Sequence, residues 1–186
     1  KKFSNLFEKR FKLMALRPLS SMKYAVDVAI ETMRFLPKQY TLDIFGKGEH
    51  EITFKNLIKK YSLQRRIKIY NTFIDKSDMP EHFSKYGVSM STTRMDAQGV
   101  SMCEAISSGL LTVSNKNTAI PEFITDMETG ILGNTPKELA EKILEVTSSQ
   151  ELFEGITKAG RDSMEEIDVK LTCKKELKIL TEIANR

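Results

Sequence analysis

Short apolar runs and amphipathic stretches take turns along this chain of 186 residues. Residues 11–17 read as a strand, brought to an end by Pro18 and the serines at 20 and 21. From 22 to 35 the positions Tyr24, Val28, Met33 and Phe35, with Ala25, Ala29 and Ile30, suit one amphipathic helix that Pro37 closes. Residues 40–45 form a second strand running into Gly46-Lys47-Gly48. Ile52, Phe54, Leu57, Ile58 and Tyr61 then fall at helical spacing. Residues 66–70 alternate charged and apolar side chains, as a strand covered on one face would. Asp78, Met79 and Pro80 look like a helix start, with Asp78 as cap and Pro80 in the first turn. A buried strand at 86–91 and a helix at 99–108, ended by Gly109, follow. A fifth strand is expected at 110–113, a short helix at 121–125 and a sixth strand at 130–133. Thr135-Pro136-Lys137-Glu138 has a threonine cap, proline at the first helical position and glutamate at the third. Leu139, Ile143 and Val146 give that helix its apolar stripe.

Six short strands, each followed by a helix, predict an α/β fold: a Rossmann-like, doubly wound parallel sheet. The length suits one well-buried domain. Residues 1–10 read as a linker or arm, 11–149 as the domain, and 150–186 as charged helices packing on it. Hydrophobic content of 40% and charged content of 29% are those of a soluble globular protein. The net charge is +4. Its basic residues are spread along the chain, which argues against nucleic-acid binding and is compatible with weak attraction to an anionic membrane surface or a phosphorylated ligand. The two cysteines, Cys103 and Cys173, are far apart, pointing to a reducing, cytoplasmic setting. No apolar run approaches the ~20 residues of a membrane span, and no signal-peptide pattern leads the sequence. The sequence opens at Lys1 without a methionine, so it is expected to be a piece of a longer protein.

Asp96-Ala97-Gln98-Gly99-Val100-Ser101-Met102-Cys103-Glu104 says most about chemistry. Two carboxylates sit eight positions apart, around a glycine that can open a helix. In an open α/β sheet, ligands settle at the carboxyl ends of strands beside helix N-termini, so both acids stand at the lip of a candidate site. Gly99, lacking a Cβ, would let a ligand approach the backbone where N–H groups are unpaired. Glu104 could reach back to accept hydrogen bonds from a ribose, or be a helix-surface glutamate. Asp96 could equally make a local turn. Arg17 ends the first strand and Lys23 opens the next helix; together they would suit a diphosphate, or be solvated surface residues. Gly46-Lys47-Gly48 lacks the third glycine of a dinucleotide fingerprint and follows the second strand, which argues against a nicotinamide site. Cys103 reads as core, and His50 and His82 as surface. No Ser-His-Asp or Cys-His arrangement and no metal-ligand spacing is apparent.

In this order the motifs resemble the C-terminal, donor-binding domain of retaining glycosyltransferases with the GT-B fold, the group 1 glycosyl transferases marked by a Glu-x7-Glu motif. The resemblance covers roughly residues 11–147. It rests on Asp96 through Glu104-Ala105 with Gly109, on Arg17 and Lys23, on Gly46-Lys47-Gly48-Glu49, and on Thr129-Gly130-Ile131-Leu132. It implies that Glu104 binds the ribose of a UDP-, GDP- or ADP-linked sugar. Arg17 and Lys23 would neutralise the departing diphosphate, and Asp96, Gln98, Gly99, Val100 and Ser101 would face the donor, with Gly46 nearby. The family's chemistry needs no metal and no cofactor. A glycan or lipid-linked acceptor would be held by an N-terminal half, against which the C-terminal helices also pack, with the enzyme at the inner face of the membrane in cell-surface polysaccharide assembly. The departures are Asp96 for the first glutamate, Ala97-Gln98 for Gly-Phe, and Tyr24 for a glycine. Alternatives within the fold are a nucleotide-sugar epimerase, a sugar phosphorylase, or a non-catalytic nucleotide-binding domain.

Overall fold

Six strands, Lys12–Leu16 (β1), Thr41–Phe45 (β2), Ile67–Tyr70 (β3), Val88–Met90 (β4), Leu111–Asn115 (β5) and Ile131–Gly133 (β6), pair in the order β3-β2-β1-β4-β5-β6. Every pairing is parallel. The computed structural model describes residues 6–95, 98–167 and 169–184. Helices Val26–Thr32 (α1), Glu51–Lys60 (α2), Met79–Phe83 (α3), Val100–Ser107 (α4), Pro136–Ser148 (α5), Gln150–Glu165 (α6) and Val169–Ala184 (α7) complete the chain. The α/β, doubly wound, Rossmann-like sheet is the one the residue pattern predicts.

Strand alternation decides which side chains meet which helices. Leu13 and Ala15 of β1 join a core with Ala29 and Ile30 of α1, Phe54 and Ile58 of α2, and Ile143 and Val146 of α5. Met14, between them, points the other way, into a cluster with Phe45, Phe83, Tyr86 and Ala105. Met102 and Ile106 of α4 close a third cluster with Ile120, Ile124, Leu132 and Met164. Each fully buried Leu, Ile, Val, Phe or Met side chain among them stabilises the fold by about 1.5–3 kcal/mol.

Local chemistry explains several boundaries. Thr135 is extended at φ −131° and its side chain accepts from the Glu138 amide, as the sequence predicts. Glu138 in turn accepts from the Asn134 amide at 2.7 Å. Asp78, expected as a cap, makes no such bond: its backbone is already helical, at φ −92° and ψ −11°, where a cap must be extended. The helix expected over 22–35 is also broken. Met22–Tyr24 form a 3-10 turn, Ala25 is left-handed at φ 48° and ψ 36°, and α1 starts only at Val26. The tail is two helices. α6, capped by Ser149, packs on α4 and α5. α7 leaves Leu177, Leu180 and Ile183 largely exposed. At the amino end Leu6–Lys9 form a 3-10 turn, with Phe7 edge-on to Phe153 of α6 at 5.6 Å. No helix is long and apolar enough to cross a membrane among the described residues.

Candidate functional site

Strand order reverses between β1 and β4, so the connections leaving their carboxyl ends run in opposite directions and open a crevice. Arg17, the residue after β1, sits at its floor and is only 4% exposed. Its Nη2 donates to the Ser91 carbonyl just past β4 at 2.7 Å, and its Nη1 reaches the Ser101 hydroxyl in the first turn of α4 at 3.5 Å. One guanidinium thus joins two strand ends and a helix start. The Ser91 carbonyl is held from a third side by the Ser114 hydroxyl at 2.9 Å.

Lys23 lies on the opposite lip, exposed, on the 3-10 turn that interrupts the expected helix. The Ser21 side chain caps that turn by accepting from the Lys23 amide. The loop after β4 grips it from outside. The Arg94 amide and the Thr93 hydroxyl both donate to the Lys23 carbonyl, at 2.7 and 3.2 Å. The Thr92 hydroxyl donates to the Ala25 carbonyl at 2.9 Å. Thr93 is itself fixed, its amide donating to Asn115 and its carbonyl accepting from Asn117. These three carbonyl-directed bonds at the turn explain why the chain leaves the helical path here. Sequence reasoning missed Thr92, Thr93 and Arg94. The polar run directly after a fully buried strand was the available signal, since buried hydroxyls need partners.

Gly99 opens α4 at φ 65° and ψ 55°, a conformation that costs other residues strain, and its carbonyl accepts from the Met102 and Cys103 amides. Only the Val100 and Ser101 amides of α4, ahead of those bonds, have no helical acceptor. Gln98 and Val100 are exposed, Ser101 half-buried under Arg17. Glu104 stands three residues past Ser101, roughly 4.5 Å along the axis. It lines a groove of about 480 Å³ with Lys76, Met79 and Pro80 of the α3 region and with Gln98, Val100 and Cys103. Its carboxylate takes no hydrogen bond or ion pair from a described residue. Cys103, expected in the core, is half-buried: it packs against the third cluster and also lines this groove, with its Sγ 3.7 Å from the Gln98 carbonyl. Asp96 and Ala97 lie outside the described residues.

Gly46 has a structural reason of its own. A Cβ there would stand 1.9 Å from the Arg17 carbonyl, so only glycine lets the β2 turn lie against the end of β1. That contact is reinforced by the Arg17 amide donating to Phe45 at 3.0 Å.

The arrangement therefore brings a buried arginine, an exposed lysine and a helix N-terminus to one crevice, with a carboxylate that is unpaired among the described residues in the adjoining groove. The first three suit an anion of two or more phosphates, and the carboxylate suits hydroxyl donors. Among the described residues no three His, Cys, Asp or Glu side chains gather as metal ligands would.

The family described as glycosyl transferases group 1 matches residues 1–163. An uncharacterized 41.2 kDa protein of the cps region of Klebsiella pneumoniae is 27% identical over 111 residues, 60% of this chain but only 28% of that protein. Among solved structures, Anabaena HepE in complex with UDP superposes with a TM-score of 0.84 at 17% identity, over 95% of this chain and 50% of HepE. The C-terminal domain of Francisella tularensis LpcC, a glycosyl transferase group 1 protein, superposes with a TM-score of 0.74 at 18% identity. It is covered over 92% of its length, and this chain over 89%.

Proposed function

The chain belongs to the group 1 glycosyl transferases, and from that premise we propose that it forms the donor-binding half of a retaining glycosyltransferase with the GT-B fold. A nucleotide-sugar would lie in the crevice with its diphosphate against Arg17, Lys23 and the N-terminus of α4. Its ribose would meet Glu104. Asp96 takes the place of the motif's first acid and would face the donor sugar, with the backbone at Gln98, Gly99 and Val100.

The convergence of Arg17 with Ser91 and Ser101 carries this reading. It would put a fixed cation where negative charge grows as the bond from the anomeric carbon to the diphosphate oxygen breaks and a bond to the acceptor oxygen forms. Preorganised charge at such a position is the largest single contribution to many transferase-type reactions, because nothing must reorganise when the leaving group departs. Lys23 would supply a second, exposed charge. No metal or cofactor is required in this scheme.

The acceptor, a glycan or lipid-linked sugar in polysaccharide assembly, would be held by the remainder of a longer protein, at the cytoplasmic face of the membrane. The chain spans little more than a quarter of its Klebsiella relative, which leaves ample length for that half.

The test is a melting and calorimetric titration with UDP, GDP, ADP and their sugar conjugates, alongside Glu104→Ala and Lys23→Ala. A nucleotide at ~100 times its dissociation constant adds about 2.7 kcal/mol. At this size that is a rise of about 5–10 °C. One nucleotide should give it, and both variants should weaken it. No rise with any nucleotide, in this chain or with its N-terminal half restored, would overturn the reading.

A further inference from the structure

The amino half of one sheet face is left uncovered, and it is charged. On β1, β2 and β3 the side chains of Lys12, Thr41, Asp43 and Lys68 alternate onto the same face as Met14, Phe45 and Tyr70. The carboxyl half of that face is roofed by α3 and by Tyr86, but α3 is only five residues long. Beyond its reach lies a cleft of about 270 Å³ lined by Lys12, Thr41, Asp43, Arg65, Arg66, Lys68, Lys85 and Tyr86. It is the alternating charged strand of the sequence pattern, given no helix to face.

Five cations and one carboxylate surround this space, so the cleft alone carries an excess equal to the +4 of the whole chain. Lys12, Arg65 and Lys68 pair with no carboxylate among the described residues. Lys85 meets only Glu81, one turn earlier, with both side chains more than half exposed. Arg66 is anchored, its Nε donating to the Tyr40 carbonyl at 3.0 Å and its Nη2 to the Pro37 carbonyl at 2.8 Å. Asp43 is the single acid, and it accepts from the Tyr86 hydroxyl at 2.9 Å. The cations come from three separate segments of chain, Lys12, the run from Arg65 to Lys68, and Lys85, so local periodicity alone does not gather them. Holding like charges around one concavity costs stability that a bound anion would return.

We propose that this cleft binds a phosphate-bearing anion, either the headgroup of an acidic phospholipid or a soluble phosphorylated compound. It sits at the amino ends of the strands, about 15 Å of sheet away from the nucleotide crevice at their carboxyl ends. Occupancy of one therefore does not block the other, and a membrane seated here leaves the crevice open.

The test compares the wild type with an R65Q/K68Q double variant, both positions being exposed and outside the crevice. Sedimentation with vesicles of phosphatidylglycerol and phosphatidylcholine, against phosphatidylcholine alone, reads the lipid source; calorimetry with inorganic phosphate reads the soluble one. Binding to the acidic vesicles that falls at least tenfold in the variant, with the melting temperature and nucleotide response unchanged, supports the lipid headgroup. Phosphate binding lost in R65Q/K68Q but kept in Lys23→Ala, without vesicle binding, supports the soluble ligand. Binding of neither probe, or equal binding by both proteins, overturns the proposal. The nucleotide response is read separately, so failure here leaves the donor-site reading standing.

Discussion

Arg94 holds Asp27 through both guanidinium nitrogens, at 2.8 and 2.6 Å, and so ties the loop after β4 to the first turn of α1. The same guanidinium donates to the Met22 carbonyl at 2.7 Å, next to Lys23. The bidentate pair holds Arg94 above its ordinary pKa, with the Asp27 carboxylate as the main cause. Strand β4 thereby sets the position of a lysine that the chain delivers from β1.

Arg94→Ala should loosen that lysine without emptying the crevice. The ion pair is partly exposed and worth well under 1 kcal/mol by itself, so the expected stability loss is about 1 kcal/mol with the Met22 bond included. A similar loss is expected in nucleotide binding, about fivefold in affinity. Calorimetry with the nucleotide that stabilises the wild type checks this. Unchanged affinity in Arg94→Ala would detach the clamp from the site.

Arg17→Lys should cost far more than its chemical modesty suggests. A planar guanidinium bridges the Ser91 carbonyl and the Ser101 hydroxyl, whereas an ammonium on a flexible stem cannot span both. Losing one charge-assisted bond at this buried position should destabilise by about 1–3 kcal/mol. Nucleotide affinity should fall at least tenfold, and thermal unfolding with and without nucleotide separates the two effects.

Most of the fold was legible because it depends on period. Strands alternating with amphipathic helices and the Thr135 cap are local signals, and the structure carries them out. The Asp78 cap fails locally, because a turn in which the Asp78 amide donates to the Asp75 carbonyl already leaves its backbone helical. The long helix over 22–35 fails because its backbone is set by partners distant in sequence, Thr92, Thr93 and Arg94. At the crevice, residue order pointed to Arg17, Gly99 and Glu104. That Arg17 is buried, and joined to Ser101 from 84 positions away, needed the folded sheet. The alternation at 66–70 predicts a half-covered strand, but which neighbours share its open face is a matter of strand order.

Lys142 should prove a structural lysine. Its ammonium meets Asp126 at 2.7 Å, Glu138 at 3.1 Å and the Leu132 carbonyl at 2.6 Å, and Asp126 also accepts from the Leu132 amide. Burial opposes the charge, but the two carboxylates outweigh it and raise its pKa. Lys142→Met should cost about 1–2 kcal/mol, lowering the melting temperature by about 2–8 °C. Nucleotide response should be unaffected, because the network lies on the β6 edge.

His82 predicts how stability changes in mild acid. Expected on the surface, it instead sits edge-on to Phe45 at 4.4 Å, with Nε2 buried and unpartnered. Burial, with the nearby Lys85 charge, pushes its pKa below the ordinary 6.5, and Asp43 only partly offsets them. The folded state therefore binds this proton less readily than the unfolded chain. Stability from the neutral imidazole is full above pH 6.5 and is lost as pH falls through the lowered value. Glu51 and Glu138, whose pKa values are also lowered, add losses of the same sign only below about pH 4.5. Melting curves between pH 5 and pH 8 should thus decline on the acid side for the wild type and stay flat for His82→Phe. A slope that survives this substitution would assign the acid sensitivity to another group.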